Sequence, residues 1–491
     1  MCYIGKLCIR PDSSRCCKCP PSWTGPKCRQ KLDKESACRS MPCKNGGTCT
    51  DTDTSHVCAC SKGWTGQNCA DFKGAFKHEY VFMIMRNHYY ASSQSSLIYM
   101  TTNTPAIVEI TTSNNLNPSL KSAIDQTIFF TSQLKIPLPP EMQSMSFKTE
   151  PKAVKIRSTE AITLVLFDNN YSQSNDGSLI SPVEKLGTLY VEVSSDPYDE
   201  KHPIYNSVFG IAALEDDTLV KIDVLYYDAE INQSFTDPRV VTLNNLETIQ
   251  LEYEVDLSGS LVESSKPVAV FSGNRCNMFP ESIRCSHLME QMSPTREWGS
   301  MYIVPADFNS WGSRLIIMTD ESSSTTGKII VGKSQHDITL FPRTPFDFTL
   351  KAKETAVIYI PQVRASVTSF VKGNKNNGNS GSPYMVKIPK VPQTKSQYTI
   401  PIPEGYLTNY VTIMIDKSSK SDLRLNGQAI KQTKILFEDE NILNDGRIGS
   451  ILTVEVSPGV LNLATTSGSP FGLLVFGYRY LDSYGFAGNF V

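Results

Sequence analysis

Hydrophobic and polar positions from Lys73 onward follow a pattern typical of β-strands. Apolar residues alternate with polar ones or run for several positions, and clusters of Asn, Asp, Ser, Gly and Pro separate the runs. Few stretches keep a 3.6-residue period for more than two turns, so helices are expected to be rare. The pattern predicts a mainly β fold with a large all-β region.

Two strand patterns recur four times in this region. The strand that closes each repeat carries an aligned phenylalanine, and these residues are 104, 99 and 106 positions apart. They are Phe167, Phe271, Phe370 and Phe476. A period of this length is too long for a solenoid repeat and fits a β-sandwich of seven or eight strands. We therefore predict about four packed, β-sandwich-like repeats. Their expected bounds are about 75–170, 180–276, 297–375 and 395–485.

The cysteines are concentrated at the start of the chain. Of the 14 cysteines, only Cys276 and Cys285 lie beyond residue 69. Dense cysteine in a segment too short to bury a large core indicates disulfide bonds and an oxidising compartment. The chain is therefore expected to be secreted or to lie on the extracellular face of the cell surface.

Residues 35–70 resemble an epidermal growth factor-like (EGF-like) module. Their cysteines follow the spacing C-x4-C-x5-C-x8-C-x-C-x8-C, with Asn45-Gly46-Gly47 and Gly63-Trp64-Thr65-Gly66 at the family's glycine positions. The resemblance implies three disulfides: Cys38–Cys49, Cys43–Cys58 and Cys60–Cys69. It also implies O-glycosylation at three positions: Ser40, Thr48 and Thr65.

Residues 1–30 repeat this spacing without a counterpart of Cys38. We interpret them as a truncated EGF-like module, so that the chain begins inside a module and shows no signal peptide. The resemblance implies disulfide-bonded cysteines at Cys2, Cys17, Cys19 and Cys28. The partner of Cys8 stays open, because Cys16 is an extra cysteine that could pair with it.

The β region resembles the N-terminal domain of the IgGFc-binding proteins of mucus. The motif runs through residues 271–299 and is long and irregular. Its elements are Phe271-Ser272-Gly273-Asn274, Cys276, Cys285, His287-Leu288, Glu290-Gln291 and Trp298-Gly299. One departure is Ser286, where the family usually has Asp. The resemblance extends over residues 75–486 and implies a non-catalytic extracellular binding function. The family name implies antibody-Fc binding, although no Fc-contact residues can be identified in this sequence.

Cys276 and Cys285 are nine positions apart and most simply bond each other. A metal site with His287 is the rival interpretation, but it lacks a fourth ligand nearby. The spacing of Leu288, Met289 and Met292 predicts the apolar stripe of a short helix. Trp298 is predicted to be a buried anchor between repeats.

No catalytic pattern is visible in the sequence. The six histidines are scattered, and H-E-x-x-H, G-x-S-x-G and a phosphate-binding glycine loop are absent. We therefore predict no enzyme activity, no cofactor and no bound metal. Asn170 and Asn232 begin N-glycosylation sequons, which predict a glycoprotein.

Charge and hydropathy give no support to nucleic-acid binding or to a membrane span in this chain. Lys and Arg number 47 against 49 Asp and Glu, so the balance gives no sign of nucleic-acid binding. No apolar run approaches the 18 or so residues of a membrane span.

The expected partner is an extracellular protein or glycan, in mucus, matrix or at the cell surface, where the chain would act in binding or adhesion. Two alternatives remain open. One is a disulfide-linked structural component of a mucus gel or adhesive secretion. The other is immune recognition of microbes or immunoglobulin-like ligands.

Overall fold

A computed structural model provides the fold of the protein. It describes residues 23–24, 30–31, 37–61, 63–87, 96–167, 174–197, 203–228, 233–280, 282, 284–320, 322–373, 381–392, 395–443 and 446–488. The chain forms two compact units, Met1–Ala75 and Phe76–Val491.

The N-terminal unit consists of short paired strands. They are β1 (Trp23–Thr24), β2 (Gln30–Lys31), β3 (Thr48–Asp51), β4 (His56–Ala59), β5 (Trp64–Thr65) and β6 (Asp71–Phe72). Each odd-numbered strand pairs with the next one in an antiparallel hairpin. A 3₁₀ helix, Ala37–Ser40, precedes β3. Disulfides join Cys38 to Cys49, Cys43 to Cys58 and Cys60 to Cys69. Buried Trp64 packs on Phe72 with ring centroids 5.4 Å apart, so cross-links and one aromatic pair replace a large core.

The large unit opens with strand set 1, which spans residues 78–179. Its strands are β7 (His78–Phe82), β8 (Ser96–Thr101), β9 (Ala106–Thr112), β10 (Gln126–Phe130), β11 (Gln133–Leu138), β12 (Thr149–Glu150), β13 (Val154–Ser158), β14 (Thr163–Phe167) and β15 (Gly177–Leu179). They form two antiparallel four-stranded sheets, β10-β9-β13-β7 and β11-β8-β14-β15. The helix α1 (Pro118–Ile124) follows β9, and the Asn117 side chain caps it by accepting from Ser119 N.

Strand set 2 spans residues 187–291. Its strands are β16 (Gly187–Val191), β17 (Ser207–Ala213), β18 (Thr218–Asp228), β19 (Gln233–Leu243), β20 (Thr248–Tyr253), β21 (Leu261–Asn277) and β22 (Ser286–Gln291). They form one sheet around the long strand β21, and β12 of set 1 joins it by pairing with β20.

Strand set 3 spans residues 301–387. Its strands are β23 (Met301–Val304), β24 (Gly312–Thr319), β25 (Thr325–Val331), β26 (Ser334–Leu340), β27 (Phe346–Lys351), β28 (Ala356–Tyr359), β29 (Ala365–Val371) and β30 (Tyr384–Lys387). The two antiparallel sheets are β23-β28-β25-β26 and β27-β24-β29-β30.

Strand set 4 spans residues 397–487. Its strands are β31 (Gln397–Ile402), β32 (Thr408–Asp416), β33 (Leu423–Leu425), β34 (Gln428–Ala429), β35 (Ile435–Ile442), β36 (Ile448–Val456), β37 (Gly459–Thr465), β38 (Gly472–Arg479) and β39 (Asp482–Ala487). The sheets are β31-β37-β33-β34 and β35-β36-β32-β38-β39. In the large unit, 3₁₀ helices occupy Pro140–Met142, Val183–Lys185, Pro203–Tyr205, Thr295–Glu297, Lys417–Asp422 and Gln432–Lys434.

One four-strand order recurs in all four sets. It reads β11-β8-β14-β15, β20-β17-β21-β22, β27-β24-β29-β30 and β36-β32-β38-β39. The mainly β fold predicted from the sequence is confirmed. The residue bounds of the four repeats stay a prediction. The last strands of sets 1, 2 and 3 lie beyond the expected ends at 170, 276 and 375.

The hydrophobic cores connect the four sets into a closed ring. Each core is shared by two neighbouring sets, and the fourth core joins set 4 back to set 1. Each aligned phenylalanine enters a different core, the one that its own set shares with the preceding set. Phe271 joins sets 1 and 2, Phe370 sets 2 and 3, Phe476 sets 3 and 4, and Phe167 sets 4 and 1. The periodic phenylalanines therefore mark packing between sets.

Candidate functional site

The predicted Cys276 loop joins the paired strands β21 and β22, and a disulfide closes it. A disulfide joins Cys276, near the end of β21, to Cys285, just before β22. The prediction of a short helix here was wrong, because residues 286–291 form a strand. Successive side chains of a strand point to opposite faces, so Leu288 enters the core of sets 2 and 3 while Met289 enters that of sets 1 and 2.

Trp298 is buried, as predicted, in the core that sets 2 and 3 share. Its indole Nε1 donates to Ser293 O at 3.1 Å, which satisfies the polar end of the ring. His287 is fully buried, and its backbone N donates to Ser174 Oγ at 2.7 Å. Both residues of the motif are thus placed for packing at the junction.

The last strands of the four sets meet around the Asp176 carboxylate. Strands β15, β22, β30 and β39 are neighbours in a closed circuit. Oδ1 of Asp176 accepts from Gly177 N at 2.8 Å and Gly485 N at 3.4 Å, and Oδ2 accepts from Met385 N at 3.1 Å and Met289 N at 3.3 Å. Burial raises the pKa of Asp176, and these donors oppose the rise. One side chain therefore contacts backbone from all four sets.

Further buried ionisable groups lie beside this carboxylate. Glu290 accepts from Ser178 Oγ and from Lys387 N, both at 3.0 Å. Burial raises the pKa of Glu290 and lowers the pKa of the Lys387 ammonium. Glu192 is fully buried, and burial raises its pKa to about 8 although the neighbouring Ser272 hydroxyl opposes the rise. Because solvent does not reach these groups, we assign them to the junction of the strand sets and not to a ligand site.

The predicted glycosylation positions lie partly within the described residues. Ser40 and Thr48 are exposed, and Thr65 is half-buried. Asn170 and Asn232 lie outside the described residues. The same holds for Cys2, Cys8, Cys16, Cys17, Cys19 and Cys28.

Among the described residues, no three His, Cys, Asp or Glu side chains come together as a metal site. No helix in the same ranges is both long and apolar enough to cross a membrane.

An open cleft beside the sheet of set 2 is the candidate ligand site. Its volume is about 700 Å³, within the range typical of small-ligand sites. The pairing of β12 with β20, together with a bridge from Ser146 to Gln250, brings Ser146 next to Glu252 and Phe147 next to Tyr253. The lining residues are Arg86, Ser146, Phe147, Asn206, Tyr226, Asp237, Glu252, Tyr253, Glu254 and Val255.

An aromatic wall forms one side of this cleft. Phe147 is 51% exposed and has a left-handed backbone with φ of 61°, which is unusual for a bulky residue. Its N donates to Gln250 O at 2.7 Å, which holds the turn in place. The ring meets Tyr253 edge to face with centroids 5.6 Å apart. The Arg239 guanidinium lies 5.4 Å from the Phe147 centroid and 6.0 Å from that of Tyr253.

Asp237, on strand β19, accepts hydrogen bonds from the side chains of this aromatic wall. Its Oδ2 accepts from Tyr253 OH at 2.7 Å and from Arg239 Nη2 at 2.6 Å. These bonds lower the pKa of Asp237, with the Tyr253 hydroxyl as the larger cause. Burial, reinforced by the Asp237 carboxylate, raises the pKa of Tyr253 to about 12. Neither group changes its charge near neutral pH.

Glu252 holds together the floor of the cleft. Its carboxylate pairs with Arg275 Nη1 at 2.8 Å and with Arg86 Nη1 at 3.5 Å. It also accepts from Asn206 Nδ2 at 3.1 Å and from the Ser146 hydroxyl. Asn206 is 6% exposed, and its Oδ1 has no hydrogen-bond partner among the described residues. The floor therefore contains an unsatisfied acceptor that lies just beneath its surface, closed to solvent.

Sequence reasoning missed this cleft. Its aromatic wall joins Phe147 to Tyr253, more than 100 residues later, and no local spacing relates them. The only local signals are a single aromatic residue in the polar stretch around Phe147 and the charged pair Asp237 and Arg239 within a strand. The sheet pairing, which the sequence does not specify, creates the site.

Comparisons with known proteins agree with the architecture. A sequence profile described as IgGFc binding protein matches residues 176–477, and one described as EGF-like domain matches residues 38–68. The IgGFc-binding protein of Homo sapiens is 26% identical over 437 residues, which cover 86% of this chain and 8% of that protein. The chain thus spans a small fraction of the length of that relative.

One solved structure shows a weak likeness to this chain. Trypsin-activated alpha-2-macroglobulin from Escherichia coli aligns with 94% of this chain and 45% of its own, at 9% identity and a TM-score of 0.12. That likeness is too weak to carry an argument. The profile match to residues 176–477 covers more than half of the sequence and contains the Cys276 motif. The chain belongs to the IgGFc-binding protein family.

Proposed function

We propose that this chain is a non-catalytic binding and adhesion protein of mucus, extracellular matrix or the cell surface. Its EGF-like module, its disulfides and its family indicate an extracellular protein. The observation that carries the proposal is the open cleft of set 2, with an exposed aromatic ring and a preformed polar floor. The ligand is a protein or a glycan.

The electrostatics of the cleft favour binding over catalysis. General acid–base catalysis works best with groups whose pKa lies near the working pH. The pKa of Asp237 is lowered and that of Tyr253 is raised to about 12, so both are far from neutrality. Glu252 is held between two arginines. These side chains form a fixed surface with its charges already paired.

The name of the human relative refers to the Fc region of IgG. We include Fc among the candidate ligands, together with matrix proteins and glycans. Because this chain spans 8% of the length of that relative, the name alone does not select one of them.

A direct binding panel tests the proposal. The full chain is immobilised and probed with an Fc fragment, mucin, matrix proteins and a glycan array, and separately assayed with a panel of hydrolase substrates. Phe147→Ala tests the cleft, and Phe129→Ala is the matched control, because Phe129 is similarly exposed (49%) on the distant strand β10.

We expect at least one ligand that Phe147→Ala loses and Phe129→Ala retains, and no turnover of any hydrolase substrate. If the two variants bind every ligand equally well, the cleft is not the binding site. Turnover that Phe147→Ala abolishes would replace the proposal with an enzymatic one.

A further inference from the structure

We propose that the cleft of set 2 binds a neutral, hydroxyl-rich oligosaccharide, with one sugar ring stacked on Phe147. The inference rests on the proposed binding function and names the chemical class of the ligand. It combines three properties of the cleft: an exposed aromatic face, a buried acceptor without a donor, and charges that are already paired.

Phe147 presents an exposed aromatic side chain in the cleft. Arg239 lies over one face of the Phe147 ring, and half of the side chain remains exposed. The ring face carries partial negative charge and attracts the weakly positive C–H groups on the apolar face of a sugar ring. The left-handed backbone of Phe147 costs stability, and such strained residues concentrate at ligand sites. An exposed, strained aromatic residue held by a hydrogen bond to Gln250 O therefore has the properties of a stacking platform.

The acceptor specifies a donor on the ligand. Asn206 lines the cleft, is 6% exposed, and already uses its Nδ2 on Glu252. Its Oδ1 has no partner within the described ranges, and a buried unsatisfied acceptor costs about 1–3 kcal/mol. A sugar hydroxyl that displaces the floor atoms covering this oxygen would supply the missing donor. A sulfate or carboxylate has only acceptors at neutral pH and would face this oxygen unfavourably.

The charge balance argues for a neutral ligand. Three arginines and three acidic residues lie in or behind the cleft wall, so their formal charges cancel. They are Arg86, Arg239, Arg275, Asp237, Glu252 and Glu254. Asp237 and Glu252 are each paired with arginine. An anionic ligand would have to compete with Asp237 or Glu252 for an arginine, whereas a hydroxyl can bond to a paired carboxylate or guanidinium without displacing its partner.

The test is a glycan array that contains neutral, sialylated and sulfated oligosaccharides, probed with the wild-type chain, Phe147→Ala, Phe147→Trp and Phe129→Ala. We expect neutral glycans to be retained by the wild type. Phe147→Ala is expected to weaken binding by about tenfold or more, Phe147→Trp to restore it, and Phe129→Ala to leave it unchanged. Raising NaCl from about 50 to 500 mM should change the affinity less than about twofold, because no net charge is exchanged.

Three results would overturn the inference, and two of them leave the proposed function standing. If only sialylated or sulfated glycans bind, and salt weakens them steeply, the ligand is anionic. If a protein such as the Fc fragment binds in a Phe147-dependent way while no neutral glycan does, the cleft recognises protein. If the chain retains no ligand of any class, both the inference and the proposed function fail. Thermal unfolding of each variant shows whether a loss of binding reflects a loss of folding.

Discussion

Asp176→Asn is expected to destabilise the large unit while preserving the size and shape of the side chain. In the wild type each carboxylate oxygen accepts two backbone N–H groups, one pair from Gly177 and Gly485 and the other from Met289 and Met385. In the variant an amide NH₂ replaces one oxygen. Two buried N–H groups then lose their acceptor and face another donor.

The magnitude follows from the cost of burying unsatisfied donors. Each such group costs about 1–3 kcal/mol, so Asp176→Asn is expected to lower the free energy of unfolding by about 2–6 kcal/mol. Domains are typically stable by only about 5–15 kcal/mol, which makes this loss easy to detect. The loss of stability should exceed the loss caused by an ordinary polar substitution, because the backbone donors include residues of three other strand sets.

Urea unfolding at constant pH, followed by circular dichroism, measures the effect. Asp216→Asn is the matched control, because Asp216 is exposed in the turn after β17 and should change stability by less than about 0.5 kcal/mol. If Asp176→Asn unfolds within about 0.5 kcal/mol of the wild type, the carboxylate does not hold the four sets together and the explanation is wrong.

Three further outcomes are expected. Replacing both Cys276 and Cys285 by serine should lower the free energy of unfolding by about 2–3 kcal/mol, because the disulfide restricts the unfolded chain. An unchanged midpoint of urea unfolding would show that the disulfide does not stabilise the protein. Burial raises the pKa of Glu192 to about 8, so its contribution to stability is full below about pH 4.5 and is lost as pH rises to about 8. The free energy of unfolding of the wild type should therefore fall by up to roughly 4 kcal/mol more than that of Glu192→Gln between pH 5 and 8. Parallel pH profiles of the two proteins would refute this. Ligand binding in the cleft should vary little from pH 5 to 8, because the pKa of Asp237 is lowered and that of Tyr253 is raised, and a tenfold change in affinity would contradict that.

The sequence predicts the mainly β fold well because the signal of its strands is periodic and local. Each aligned phenylalanine lies in a strand rich in apolar residues and is buried in a core shared by two sets. The cysteine spacing in residues 38–69 is similarly specific, since a module with little core depends on its cross-links.

Two features could not be predicted from the sequence. The positions of Leu288, Met289 and Met292 fit a helical stripe as well as a strand with cores on both faces, and only the surrounding sets decide between them. The closure of the ring and the cleft at Phe147 depend on which sheet edges meet across more than 100 residues. No local pattern encodes that pairing, so the candidate site emerges only from the tertiary structure.

Hydrogen exchange on the full chain saturated with its retained ligand tests the central claim most directly, because it locates the binding surface without a mutation. The account predicts slower exchange in residues 145–148 and 250–255, with the strand pair around Arg239 protected to a lesser degree. Unchanged exchange in those segments, with protection elsewhere in the chain, would contradict it.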